Sequence, residues 1–255
     1  MDNTTEHHSD LRVFEDVSLW QLIPAGGGHA LSYLRKIVDY LLTQRPERMP
    51  TVCIYGSEGK RTHALAFLNS LAITTIKEID GRAIQAYSGF QTSYEETTPD
   101  TGVIITHAHS MPSYSYYTLY QILRERRFAQ YNINSKKSEY IAVHGMSIIT
   151  ATSPTDAMQV VLDQIDYAVQ LEPYTDEQRK LIILQRIKYC GLNYEDERVL
   201  EMIVHEGNGI LREMIQLLRA CVVIVKSEGR ETVHINDVKR ACILCQIHRN
   251  PKAKM

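Results

Sequence analysis

The segment Gly56-Ser-Glu-Gly-Lys-Arg-Thr-His63 carries the first chemistry in this 255-residue chain. It follows the apolar run Thr51-Val-Cys-Ile-Tyr55 and leads into a helical pattern. That is the layout of a strand, a glycine-bearing loop and a helix whose free N–H groups attract phosphate. A complete loop of this kind reads G-x-x-x-x-G-K-[ST]: backbone amides cradle phosphates, the lysine reaches the terminal ones and the hydroxyl holds Mg²⁺. Counting on from Gly56 places Arg61 at the second glycine, Thr62 at the lysine and His63 at the hydroxyl. On that count the site lacks the groups it needs. Gly56 and Gly59 can still form a backbone nest, and in a shorter loop Lys60 or Arg61 could supply the phosphate cation. ATP or ADP binding is therefore a separate question from hydrolysis, and no cofactor is required.

Two further groupings could do chemistry. His107 and His109 lie two apart at the end of an apolar run, and His63 opens a helix across the same cleft, so three imidazoles could converge on Zn²⁺ or Ni²⁺. Histidines gathered only by an assumed fold more commonly fill volume and face water, and the expectation is no metal. Residues 127–143 alternate polar and apolar on both sides of Asn134-Ser135, which predicts a β-hairpin with Lys136 and Lys137 near its tip. Those lysines could meet phosphate, with Arg124, Arg126 and Arg127 widening the patch, or simply keep an edge soluble. Tyr114, Tyr116, Tyr117 and Tyr120 crowd one helix start, as an interface or as packing against the sheet.

The elements that must position these residues show in the hydrophobic pattern. Residues 28–43 have helical spacing and close at Arg45-Pro46. After the run at 51–55, short β-branched apolar runs recur at 73–79, 102–106, 147–152 and 167–171, separated by helical patterns such as 62–71 and 116–126. Near-continuous apolar strands alternating with helices indicate a parallel sheet covered on both faces. From Glu172-Pro173 onward the strand signal vanishes, and helices are predicted over 175–189, 194–205, 210–226 and 235–246. Asp176, Asp196 and Asn236 stand at the predicted helix starts, and Gly191 just past a helix end.

Composition bounds the rest. An apolar share of 44% suits a globular core plus a smaller satellite, and a net charge of −2 gives no chain-wide pull toward nucleic acid or anionic membrane. No apolar run approaches the roughly 20 residues of a bilayer span, and the polar first ten residues do not resemble a signal peptide, so the expected location is cytoplasmic, with no membrane partner. The five cysteines lack disulfide-framework spacing and read as reduced thiols; the Cys242-x-x-Cys245 pair has no second pair to complete a metal site.

The order of smaller signatures resembles the AAA+ superfamily of P-loop ATPases, and within it the RuvB and RuvB-like DNA motors. Arg12-Val-Phe-Glu-Asp-Val17 is similar to the N-terminal box over adenine, and Leu65-Ala66 follows the loop at the family's usual offset. Gly102-Val-Ile-Ile-Thr-His-Ala-His109 stands at the Walker B strand and Ser147-Ile-Ile-Thr-Ala-Thr-Ser-Pro154 at the sensor-1 strand. Leu171-Glu-Pro-Tyr-Thr175 resembles the turn into the lid, and Gly207-Asn-Gly-Ile-Leu-Arg212 the start of the sensor-2 helix.

The resemblance covers roughly residues 11–247. It implies an α/β base at 11–172, a five-stranded parallel sheet between helices, and an all-α four-helix lid at 173–247, between a disordered head at 1–10 and a basic tail at 248–255. It makes Thr152 the sensor-1 residue and Arg212 a candidate sensor 2. It also exposes departures. Thr106 and His107 stand where Walker B has Asp-Glu, and Leu162-Asp-Gln-Ile165 offers no arginine finger. Phosphoryl transfer depends on positioning and charge neutralisation, a finger alone contributing roughly 10³–10⁵ in rate. The expectation is a catalytically inactive AAA+ module that binds another protein, an active AAA+ motor or a nucleoprotein complex of DNA replication, recombination or transposition, with at most weak local DNA contact. The alternatives are a divergent NTPase using Lys60 to remodel DNA or protein–DNA complexes, and a metal-sensing switch using the three histidines.

Overall fold

The computed structural model describes residues 17–24, 27–84, 93–132, 137–153 and 158–245. The chain divides into two compact units, Glu15–Pro173 and Tyr174–Met255. In chain order the first carries α1 (His29–Gln44), β1 (Thr51–Gly56), α2 (Lys60–Ser70), β2 (Thr75–Asp80), β3 (Thr101–Thr106) and α3 (Ser113–Glu125). Then come β4 (Arg127–Asn132), β5 (Lys137–Ala142), β6 (Met146–Ala151), the one-turn α4 (Gln159–Leu162) and β7 (Tyr167–Leu171).

Five of the strands form one parallel sheet in the order β2-β3-β6-β1-β7, which bears out the expected α/β core. β1 lies between β6 and β7, with Cys53 opposite both Ile149 and Ala168. Burial explains why the inner strands read as unbroken apolar runs. Every residue of β6 is buried, and β1 and β3 are buried except at their ends, whereas the edge strands β2 and β7 are partly exposed. Cys53, Val103, Ile105 and Ile149 share one face of the sheet in a core with Tyr116, Leu119 and Ile122 of α3. Gly102 faces α2, where an added Cβ would lie 2.5 Å from the buried Leu68 side chain, so the helix rests directly on β3. Tyr94 is fully buried; its hydroxyl bonds Ser147 Oγ at 3.0 Å, and burial pushes its pKa up to about 12.

The hairpin is present: β4 and β5 pair antiparallel, with Asn132 opposite Lys137. Its turn, including Asn134, Ser135 and Lys136, lies outside the described residues, as do residues 1–16 and 246–255.

Several boundaries differ from the sequence reading, each for a local reason. α3 begins at Ser113 rather than 116, because Pro112 is extended and stands before the first turn. α2 begins at Lys60 rather than 62, because Gly59 turns left-handed (φ 86°) and opens the helix.

The second unit carries α5 (Asp176–Tyr189), β8 (Asn193–Tyr194), α6 (Glu197–Glu206), α7 (Leu211–Ser227), β9 (Thr232–Val233) and α8 (Ile235–Leu244). Four α-helices were expected; the two-residue parallel bridge β8–β9 was not, being too short to leave a periodic pattern. Asp196 caps α6 by accepting from Arg198 N–H. Asp176 and Asn236 do not cap. Thr175 caps α5 through Gln178 N–H, and at α8 the buried Asp237 reaches back to His234 N–H at 2.9 Å while pairing with Arg230 at 2.6 Å. All five cysteines are free.

Ile104 is fully buried in β3, and Ile104→Ala should lower stability by about 3 kcal/mol. Gln170→Ala, on the exposed side of β7, should change it by less than about 0.5 kcal/mol, both read from denaturant midpoints of the intact chain.

Candidate functional site

In an open parallel sheet, ligands are received at the carboxyl ends of the strands, and the loop after β1 emerges there. It holds only residues 57–59 before α2 begins, so Gly59-Lys60 stands at the helix start. This is the geometry of the shorter loop, with Lys60 rather than Thr62 at the position of the phosphate cation. Gly56 has φ 104°, and an added Cβ would lie 2.5 Å from Leu171 O, so only glycine lets the chain turn against β7.

The loop's first two amides are already used. Gly56 N–H donates to Thr152 O at 3.0 Å and Ser57 N–H to Leu171 O at 3.1 Å. Lys60 folds back, its Nζ donating to Gly56 O at 2.9 Å and Ser57 O at 2.6 Å. Partial burial lowers the Lys60 pKa, with Glu58 pulling the other way. Arg61 turns away from the loop and grips Glu78 of β2 with two hydrogen bonds, 2.8 and 2.6 Å. Thr62 is half-buried within α2.

His63 points inward. It is 1% exposed, its Nδ1 lies 2.9 Å from Gly59 O, and its buried Nε2 has no hydrogen-bond partner among the described residues. A donor at Nδ1 means the neutral tautomer leaves Nε2 as an acceptor, and burial holds the pKa below the usual 6.5, the Gly59 bond opposing it.

β3 ends in Thr106, whose Oγ1 donates to Ile79 O at 3.3 Å. His107 does not continue the strand; it is left-handed (φ 51°) and opens a single 3₁₀ turn, Ala108–Ser110, that contains His109. His107 and His109 therefore both lie beyond the strand, not on one of its faces. His107 Nδ1 instead lies 3.2 Å from Asp80 Oδ1, at the end of the adjacent β2. Arg82 clamps the same carboxylate, with NH2 2.7 Å from Oδ2 and Nε 3.1 Å from Oδ1, and this bonding holds the Asp80 pKa well below the carboxylate range.

His109 Nδ1 accepts from Thr152 N–H at 3.2 Å, and its pKa is lowered by burial and by the nearby charges of His107, Lys60 and Arg82. Thr152 thus joins the loop, through its carbonyl, to His109, through its amide. The rings of His107 and His109 are 6.3 Å apart, each turned to a different partner, and no group of three His, Cys, Asp or Glu among the described residues could hold a metal ion. Asp80, Arg82, Glu78 and Glu172, whose Oε2 accepts from Gly27 N–H at 2.7 Å, complete this end of the unit and carried no motif signal. The only cue was that Asp80 and Glu172 each directly follow an apolar run.

Of the remaining candidates, Lys137 is exposed at the start of β5, Lys136 is outside the described residues, and Arg212 is exposed on the first turn of α7 in the second unit. On the hairpin, Arg127 lies over the Tyr140 ring, 4.3 Å from its centroid. No helix among the described residues is long and apolar enough to cross a membrane.

Sheet order, loop and helical unit together define the fold of the AAA+ P-loop ATPases. Among solved structures the chain is similar to RuvB of Thermotoga maritima. It matches one point mutant at TM-score 0.71 and 17% identity, over 91% of this chain and 73% of that one. It also matches the structure described as the Holliday junction branch migration motor, at TM-score 0.67 and 15% identity, over 89% and 73%. At that identity the likeness is one of fold. No protein-family model matches the chain, and no curated protein matches it in sequence.

The His63 environment predicts a pH dependence. Because its folded pKa lies below 6.5, the unfolded chain binds more protons just below that value, so stability falls as pH drops through 6.5 toward the folded pKa. His63→Leu should flatten that part of the curve between pH 7.5 and 5, read as denaturant midpoint against pH for variant and wild type.

Proposed function

We propose that this chain is an AAA+ module that does not hydrolyse ATP and works by binding, as an assembly or regulatory subunit. The observation that carries this reading is the closure of the phosphate loop on itself. Lys60 bonds the carbonyls of Gly56 and Ser57, while the amides of those two residues bond neighbouring strand ends. A phosphate must then compete with internal bonds for the groups that would receive it.

The Mg²⁺ that such chemistry uses finds a poor donor set here. Thr106 ends β3 and His107 follows it, Arg61 follows Lys60, and the Asp80 carboxylate beside them is held by Arg82, whose charge repels a cation. By analogy with the branch migration motor, the process is a DNA transaction, replication, recombination or transposition, in the cytoplasm. The partner is another protein, an active AAA+ motor or a nucleoprotein complex, with the β4–β5 hairpin and Lys136 and Lys137 available for a weak DNA contact.

One observation favours a second reading, a divergent NTPase that remodels DNA: Gly59-Lys60 stands at the start of α2, where a phosphate-binding lysine belongs. Phosphate release separates the two. The first reading expects wild type to release phosphate from Mg-ATP no faster than a Lys60→Ala, Thr62→Ala double variant. Release about tenfold or more above that variant establishes the NTPase instead. Titration calorimetry with ATP and ADP, with and without Mg²⁺, then tells a scaffold from a nucleotide-gated switch.

A further inference from the structure

At the opposite end of the sheet, where the strands begin, a cleft of about 670 Å³ opens within the first unit. Its volume is that of a small-molecule site. The segments that line it lead into β1, β2, β3 and β6, so it lies a strand's length, roughly 20 Å, from the phosphate loop. Leu41, Val143, Leu71 and Ile73 supply apolar wall, the first two buried.

Charged side chains surround this wall. Arg45, Arg48 and Arg126 line the cleft with Glu47, Asp100 and His144, and Asp166 acts on Arg126 from nearby. Among the described residues the hydrogen bonds of Arg48 and Arg126 go to carbonyls. Arg48 donates to Leu123 O at 3.3 Å, and Arg126 to Gly145 O at 3.1 Å and to Met49 O. Each guanidinium has five donors, so both retain unused N–H groups. Arg126 Nε is buried with no hydrogen-bond partner among the described residues. Burial and the neighbouring charge of Arg48 lower the Arg126 pKa, with Tyr94 and Asp166 opposing. Arg45 and Arg126 also hold left-handed backbones, φ 44° and 52°, which non-glycine residues rarely adopt.

We propose that this cleft binds a small amphiphilic monoanion, a carboxylate on a short apolar chain, with the carboxylate received by Arg48 and Arg126 and the chain laid against Leu41, Leu71, Ile73 and Val143. A planar carboxylate matches the guanidinium fork and can take the N–H groups that Arg48 and Arg126 leave unused. Nothing in the proposal depends on whether the phosphate loop binds nucleotide.

Octanoate is the probe, with 1-octanol as its neutral counterpart, both titrated into the full chain and followed by calorimetry and backbone amide NMR. Octanoate should saturate at one site per chain, bind about tenfold or more tighter than octanol, and shift the amides of Leu71, Asp100 and His144. Arg48 is exposed, so Arg48→Gln should fold normally and weaken octanoate about fivefold or more while leaving octanol unchanged. Octanol binding as tightly as octanoate overturns the anion site. So does octanoate affinity unchanged in Arg48→Gln, or shifts confined to residues elsewhere. The octanoate–octanol comparison needs no variant and decides the matter even if Arg48→Gln is unstable.

Discussion

The unit that carries the candidate site depends on one close approach, that of β1 to its neighbours. β1 is hydrogen-bonded on both sides, and at its last residue the chain must turn with the backbone almost touching Leu171. A Cβ at Gly56 has nowhere to go. Because the turn is made there, Gly56 and Ser57 spend their amides on β6 and β7, the loop has no length left to balloon outward, and α2 begins at once. The buried helix then rests on β3 through Leu68 and Gly102, and it carries His63 into the core.

Electrostatics divides the two ends of the sheet. Where the strands end, charged side chains are partnered locally: Asp80 with Arg82, Arg61 with Glu78, and Lys60 with two carbonyls. Several of these pairs are exposed, and they add little to stability because water screens them. What they do is hold side chains in place, so that a ligand arriving there must displace existing bonds. Where the strands begin, Arg48 and Arg126 bond carbonyls and keep further N–H groups for a partner from outside. A site defined by what is unsatisfied is more readily occupied than one whose groups already serve each other.

Much of the architecture was legible in the residues, and the reason is burial. Strands covered on both faces leave unbroken apolar runs, so β1, β3 and β6 stood out, and β4–β5 showed in the alternating pattern of a hairpin. The half-exposed edge strand β2 was placed two residues early at its start, where apolar content no longer marks the boundary. The site was less legible. Arg61, Thr62 and His63 were read by counting along a motif of fixed length, and a count cannot register that the loop is short. Asp80 belongs with His107 only because β2 and β3 lie side by side.

By itself, then, the sequence determined an α/β sheet followed by helices, and it showed that the end of β3 has no carboxylate, because hydrophobic period and residue type are local properties of the chain. The tertiary structure decided that Lys60 heads α2 and folds into its own loop, that His63 is carried into the core, and that Arg48 and Arg126 share a cleft. Those facts depend on which strand ends lie next to one another, and adjacency in a parallel sheet is set by crossovers that bring distant segments together.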